Sequence, residues 1–264
     1  RDIAVSDWSV GGETLDRDFT SYDAYKSYLG PLGVKHLRLQ AGWAKCEKTP
    51  GVYEFAWLDS VVDDALAQGV QPWLETAYGN TLYPGGGGTG LGGGLPASPE
   101  GLAAWDRWVA ALVTHFKDRV TAWEIWNEPD LGKGNQPDAY AGLFIRTAAT
   151  IRGIQPAARI YALGLAHNLS FAEQFLVVVK ERQKLGLIDA ITIHGYPKNP
   201  DETQVDQARA MIAKFSPTIE LRQGESGAPS KFQPNYALSN LPWSENTQAK
   251  WNLRRMLAHR AKDV

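Results

Sequence analysis

Apolar and polar positions along this chain switch between two periods. Short runs with period two, rich in β-branched and aromatic residues, predict strands. Longer stretches with apolar residues every three or four positions predict helices. The strand-like runs are "IAVSDWSV", "VKHLRLQAGW", "VQPWLETAYG", "VTAWEIWNEP", "RIYALGLA", "DAITIHGYP" and "IELRQGESG". Helical patterns fill the gaps. "WLDSVVDDALAQG" ends at Gly69, a glycine suited to a helix C-cap. "SPEGLAAWDRWVAALVTHF" opens with Ser98 as N-cap, Pro99 at the first helical position and Glu100 in the first turn. Its apolar stripe is Leu102, Trp105, Val109, Leu112 and Phe116. "AYAGLFIRTAATIRGI", "FAEQFLVVVKERQKLG", "DQARAMIAKF" and "TQAKWNLRRMLAHRAKD" keep the same beat.

Strict strand–helix alternation implies parallel strands joined by right-handed crossovers. No glycine fingerprint follows the first strand, as a dinucleotide-binding open sheet would need. Polar residues collect instead where strands end: Gln40, Tyr78, Asn80, Asn127, Glu128, His167, Asn168, His194, Tyr196 and Glu225. A barrel gathers all those ends on one face, where barrel active sites lie. The predicted fold is a (β/α)8 TIM-type barrel, a single domain over residues 1–264. Its eighth strand is apparently missing, since only seven strand-like runs are visible. Truncation at the C-terminus is the first explanation; an open barrel, or an early segment that pairs twice, are the others.

Composition narrows the function classes. The chain has 264 residues, 44% hydrophobic and 21% charged, enough for one barrel-sized core. Net charge is −2 and no basic or acidic run occurs, so nucleic acid and membrane surfaces are not expected partners. No apolar run reaches the roughly 20 residues that span a bilayer. Cys46 is the single cysteine, expected to be a packed thiol. The histidines at 36, 115, 167, 194 and 259 lack ligand spacing, so no metal is expected. No cofactor is expected either, and no Gly-x-Ser-x-Gly elbow or strand-end Schiff-base lysine is present. The sequence opens at Arg1 with no signal-peptide pattern, as in a mature form or an excerpt, with a weak lean to a secreted or periplasmic protein. "GGGGTGLGGG", residues 85–94, is expected to be flexible surface coil, with a rim over the cleft as the second reading.

Two carboxylates carry the chemistry. Glu128 stands where the fourth strand gives way to its loop, between Asn127 and Pro129. Glu225 ends the seventh strand, flanked by Gly224 and Gly227. Ninety-seven residues separate them, three strand–helix units. Strands four and seven lie across a barrel mouth, so the two carboxylates are expected to face each other over a pocket. Opposed carboxylates suit glycosidic bond cleavage: one protonates the leaving oxygen and the other attacks the anomeric carbon. Ten tryptophans and ten tyrosines fit a sugar cleft as well as a core. Glu124 shares parity with Glu128 and is expected to face the interior, paired with an arginine or a polar network. His194 and Tyr196 share parity on strand six and should point to one side.

"WEIWNEP" on strand four, with a glutamate ending strand seven, resembles the clan A or "4/7" retaining glycoside hydrolases. The run from "LETAYGN" through "WEIWNEPD" is most similar to family 39 and its relatives, which include β-xylosidase and α-iduronidase types. The resemblance implies Glu128 as general acid/base and Glu225 as nucleophile. It implies that Asn127 hydrogen-bonds the sugar 2-hydroxyl, and that Arg38 pairs with the nucleophile and keeps it ionised. Tyr196 matches a phenol that hydrogen-bonds the nucleophile, and His194 a residue of the pocket floor. Clan members commonly carry a tryptophan platform at the end of strand eight. Here Trp43, Trp126 and Trp243 are the candidate sugar faces, while Trp105 and Trp108 are expected in the core and Trp123 under the helices. The expected partner is a carbohydrate, of xyloside, glucoside or galactoside type or a polysaccharide. A non-catalytic carbohydrate-binding barrel is the alternative.

Overall fold

The structure, a computed structural model, describes residues 6–199, 202–232, 238 and 241–264. Seven strands form one parallel sheet: β1 Ser9–Gly11, β2 His36–Gln40, β3 Gln71–Thr76, β4 Ala122–Ile125, β5 Arg159–Leu165, β6 Ala190–His194 and β7 Glu220–Glu225. Each pairs with its sequence neighbours in the order β1 to β7. The sheet curls into a nearly closed barrel whose edges are β1 and β7. Among the described residues no strand pairs between those two edges. The first predicted strand is shorter than its pattern and lies later, and residues 3–5 of that run are outside the described residues.

Eight helices are described: α1 Lys26–Leu32, α2 Trp43–Cys46, α3 Ala56–Ala67, α4 Pro99–Phe116, α5 Pro137–Ile154, α6 Leu169–Glu181, α7 Thr203–Ala213 and α8 Glu245–Lys262. The last six are those read from periodicity. α1 was not foreseen, and α2 takes Trp43 away from the end of the second strand. Ser98 caps α4 as expected, its hydroxyl accepting from the Gly101 amide at 2.9 Å. The α4 stripe packs as read except Leu102, which is only half-buried. Outward strand residues such as Leu37, Leu39, Leu74, Trp123, Ile160 and Ile191 meet these stripes in the main apolar shell. Burial of this kind contributes about 25 cal/mol per Å² of apolar surface.

Inside the barrel the side chains lie in layers, and their chemistry changes with height. At the base, Trp73 and Tyr161 meet edge to face with centroids 5.4 Å apart, beside Ala122 and Ala190. Above them the layer is polar: Arg38, Glu75, Glu124 and Thr192 are all buried. Barrels usually fill this space with branched apolar residues. Here the layer forms the floor beneath Asn127, Glu128, His194, Tyr196 and Glu225.

Candidate active site

Glu128 and Glu225 converge. Glu128 Oε1 lies 2.8 Å from His194 Nδ1, and Glu225 Oε2 lies 3.6 Å from the same nitrogen. One oxygen of each carboxylate and the histidine nitrogen all fall within 4.8 Å of one another. Glu128 is 7% exposed, so the pair is shielded yet open to the mouth. Among the described residues this is the one group with donor atoms spaced for a cation. The carboxylates are engaged by His194, Arg38 and Tyr196.

The exit of β4 explains why Asn127 and Glu128 both reach the site. Strict alternation would send these neighbours to opposite faces. The strand ends at Ile125, and Trp126 and Glu128 adopt positive φ of 64° and 48°. Non-glycine residues pay for that conformation, and such strain clusters at functional sites. The kink turns Asn127 inward, where its Oδ1 accepts from Arg38 Nη2 at 2.9 Å. It also directs the Glu128 amide to Gly164 O at 2.9 Å, anchoring the turn to β5. Pro129 then starts a short 3-10 turn, Pro129–Leu131.

β7 uses a bulge for the same purpose. Its register against β6 skips Gly224, pairing Ile193 with Gln223 and His194 with Glu225. A bulge re-aims the side chain that follows it. A carbon added at Gly224 would lie 3.1 Å from Thr192 Cβ and 3.2 Å from His194 Nε2, so a side chain there would press on the pocket floor. Glu225 therefore joins Gly224 in facing the interior. Tyr196 donates its hydroxyl to Glu225 Oε1. His194 and Tyr196 share one side of the strand-six exit, as their parity predicts.

Arg38 is the hub beneath the pair. Its Nη1 donates to Glu225 Oε2 at 3.3 Å and Glu13 Oε1 at 3.0 Å, its Nε to Glu124 Oε2 at 2.6 Å, and its Nη2 to Glu75. The interior pairing expected of Glu124 is present, completed by Thr192 and by Trp73 Nε1 at 3.2 Å. Gly164 makes room for this cluster: a carbon there would sit 3.1 Å from Glu124 Oε1 and 3.4 Å from Arg38 Nη2. Glu13 and Glu75 were not singled out by sequence pattern. Burial pushes both carboxyls up, despite Arg38. Burial would raise Glu225 too, but the His194 and Arg38 charges and the Tyr196 hydrogen bond outweigh it, holding it below the ordinary glutamate value of 4.5. The differences follow from partners, since opposite charge and hydrogen-bond donors favour the ionised form.

Removing the hub has a calculable cost. Arg38→Met leaves Glu124, Glu75, Glu13 and Glu225 without their shared cation. Breaking a buried ion pair costs about 3–5 kcal/mol, so Tm should fall by roughly 6–20 °C at pH 7. The folded carboxyls then have raised pKa values, so folding takes up protons and the deficit shrinks toward pH 4. A melting series of both proteins across pH checks this; a deficit constant with pH would contradict the electrostatic account.

The tryptophan candidates divide. Trp43 is fully buried, stacked on Trp108 and Tyr83 at 5.7 and 5.8 Å, with Nε1 donating to Glu47 at 2.5 Å. It is core, because α2 turns it under α4. Trp126 is 1% exposed and packs on Trp105 and Tyr78. The kink at its own backbone turns it toward α4, so neither indole offers a sugar face. Trp243 is half-buried, edge to face with Trp251, whose Nε1 reaches Pro197 O and Lys198 O at 3.1 Å. It sits on the rim just beyond Tyr196. Other strand-end polar residues have structural duties: Asn168 caps α6, and Asn80 donates to Glu47 O. The glycine-rich run is not open coil. Its backbone closes on itself through Gly79 N–Gly88 O at 2.7 Å, Gly88 N–Gly94 O at 2.9 Å and Gly93 N–Gly90 O at 2.9 Å. Cys46 is packed, and burial pushes its thiol up to about 12. No described helix is long and apolar enough to cross a membrane.

Comparison with known proteins gives a consistent result. The family described as glycosyl hydrolases family 39 matches residues 41–223. A β-xylosidase of Geobacillus stearothermophilus is 29% identical over 115 residues, covering 39% of this chain and 23% of that protein. A monomeric β-xylosidase of Caulobacter crescentus CB15 superposes with a TM-score of 0.67 at 23% identity, covering 86% of this chain and 53% of that one. A family 39 glycoside hydrolase of Bacteroides cellulosilyticus WH2 gives 0.74 at 20% identity, covering 96% and 53%. The chain thus spans about half the length of these solved structures and less of the curated relative.

Proposed function

The chain belongs to glycosyl hydrolases family 39, of clan A, and from that premise we propose that it is a retaining glycoside hydrolase using Glu225 as nucleophile and Glu128 as acid/base. The observation that carries the reading is the convergence of both carboxylates on His194, with oxygens within 4.8 Å. Retaining enzymes hold their carboxyl groups about 5–5.5 Å apart, whereas inverting enzymes leave roughly 6.5–9.5 Å for a water.

A Glu225 oxygen attacks the anomeric carbon as Glu128 gives its proton to the departing glycosidic oxygen. The aglycone leaves as an alcohol, and the sugar stays esterified to Glu225. Glu128, now a carboxylate, takes a proton from water, whose oxygen attacks the anomeric carbon and frees Glu225. Arg38 and Tyr196 support the charge on Glu225 before attack and after release. Asn127, braced by Arg38 and by Tyr78, whose hydroxyl oxygen accepts from its Nδ2 at 2.8 Å, is positioned for the sugar 2-hydroxyl. Trp243 is the remaining rim aromatic for stacking. The likeness to β-xylosidases supports xylosides as first substrates to try.

Product stereochemistry tests this reading directly. Proton NMR of the first-formed product from an aryl β-xyloside should show the β-anomer before mutarotation. An α-anomer appearing first would mean single displacement and would remove Glu225 from the nucleophile role.

A further inference from the structure

A second guanidinium reaches the mouth from the loop after β1. Arg17, in the 3-10 turn Leu15–Arg17, donates Nη2 to Gln40 Oε1 at 2.6 Å and Nε to Asp16 Oδ1 at 3.2 Å. Its guanidinium lies over the Tyr78 ring, 4.9 Å from the centroid. Nη1 makes no hydrogen bond among the described residues, and the side chain is 18% exposed.

Tyr78 supplies a second, independent sign of a ligand. It is 2% exposed, and its hydroxyl oxygen accepts from Asn127 Nδ2 at 2.8 Å and Gln40 Nε2 at 3.3 Å. A phenol has one proton to donate and two lone pairs. Both lone pairs are taken here, and the proton has no acceptor among the described residues.

Position follows from the hydrogen-bond chain Asn127, Tyr78, Gln40, Arg17. In the reaction proposed above the anomeric carbon would lie between Glu128 and Glu225, with Asn127 at the 2-hydroxyl. The chain leads on from Asn127 toward β1, away from the His194 side. A sugar whose 2-hydroxyl meets Asn127 would present its next carbons along this chain. We propose that Arg17 Nη1 and the Tyr78 hydroxyl read a neutral hydroxyl at C3 or C4 of the bound sugar, an assignment that rests on the glycosidase reading above. The charge census favours a hydroxyl over a carboxylate. Arg17 is already paired with Asp16, while Glu13, Glu75, Glu124 and Glu225 surround Arg38 and Glu128 lies beside His194 in the same mouth. A uronic acid would bring another anion to a carboxylate-rich pocket.

Calorimetry with D-xylose, D-glucose and D-galactose finds the tightest-bound parent, which is then compared with its 3-deoxy and 4-deoxy analogues and with the matching uronic acid. Arg17→Ala should weaken the parent roughly 10- to 100-fold, the range of a charge-assisted hydrogen bond. One deoxy analogue should already bind the unmutated protein weakly and lose little more in Arg17→Ala. Tyr78→Phe keeps the ring beneath Arg17 and should show the same selective loss, which covers the case of a poorly folded Arg17→Ala. If both deoxy analogues weaken as much as the parent, Arg17 acts only through Gln40 and the proposal fails. Tighter binding of the uronic acid than of the parent overturns the choice of hydroxyl. An unmutated protein that binds none of these sugars sinks the glycosidase reading itself, and this proposal with it.

Discussion

Glu225→Gln lowers kcat on aryl glycosides by roughly 10⁴- to 10⁶-fold, the range that loss of a covalent nucleophile costs, while KM changes little. Glutamine keeps the shape of the side chain but cannot form the ester intermediate. Asn127 and the rim are untouched, so ground-state contacts with the sugar survive. Glu225→Ala opens a space on the nucleophile's face; added azide entering there should give a glycosyl azide of inverted anomeric configuration. The acid limb of kcat/KM should lie below pH 4.5, because His194, Arg38 and Tyr196 together override burial and hold the Glu225 carboxyl low. Tyr196→Phe removes one of those supports, raises the pKa, and should move that limb to higher pH. Glu225→Gln activity within tenfold of the unmutated protein would end the nucleophile assignment.

Strands β2 to β7 and the six long helices were legible because each depends on local periodicity, and burial on the outer strand face enforces it. Glu128 and Glu225 were legible as strand-end carboxylates three units apart. How they come to face one pocket was not. Alternation counts faces only while a strand stays regular. At Trp126 a left-handed residue ends β4, and at Gly224 a bulge shifts β7. Each irregularity puts two consecutive residues on the same side. The outward turn of Trp126, read from the sequence as a sugar face, and the aim of Glu128 at His194 come from the same kink. Glu13 and Arg17 escaped because a three-residue strand and its loop carry almost no periodic signal. Gly164 escaped because a missing side chain announces itself only when its neighbours are known.

The polar layer beneath the site links stability to reactivity. A single guanidinium, Arg38, touches four carboxylates and Asn127. Four ionised carboxylates around one cation would be unstable in a buried site. The raised Glu75 and Glu13 carboxyls relieve that imbalance by favouring the protonated form, which leaves more of the Arg38 charge for Glu124 and Glu225. A substitution beneath the pocket, at Glu75 for instance, would therefore be felt at Glu225 through Arg38.

Glu128→Ala slows glycosides with poor leaving groups by about 10²- to 10⁴-fold, the usual worth of a positioned general acid, and barely slows formation of the glycosyl-enzyme from dinitrophenyl glycosides. A dinitrophenolate departs without a proton, so only the second, deglycosylation step should suffer, seen as a burst followed by slow turnover. Azide needs no general base and should restore turnover, giving a glycosyl azide with the configuration of the substrate. That outcome is opposite to the inverted azide expected of Glu225→Ala, so the two carboxylates can be told apart by product alone. His194 makes the contrast sharper, because its Nδ1 lies 2.8 Å from Glu128 and 3.6 Å from Glu225. A general disturbance of that histidine would depress both steps for every leaving group. Equal slowing of alkyl and dinitrophenyl glycosides in Glu128→Ala, with no azide rescue, would show that Glu128 holds the pocket together and passes no proton.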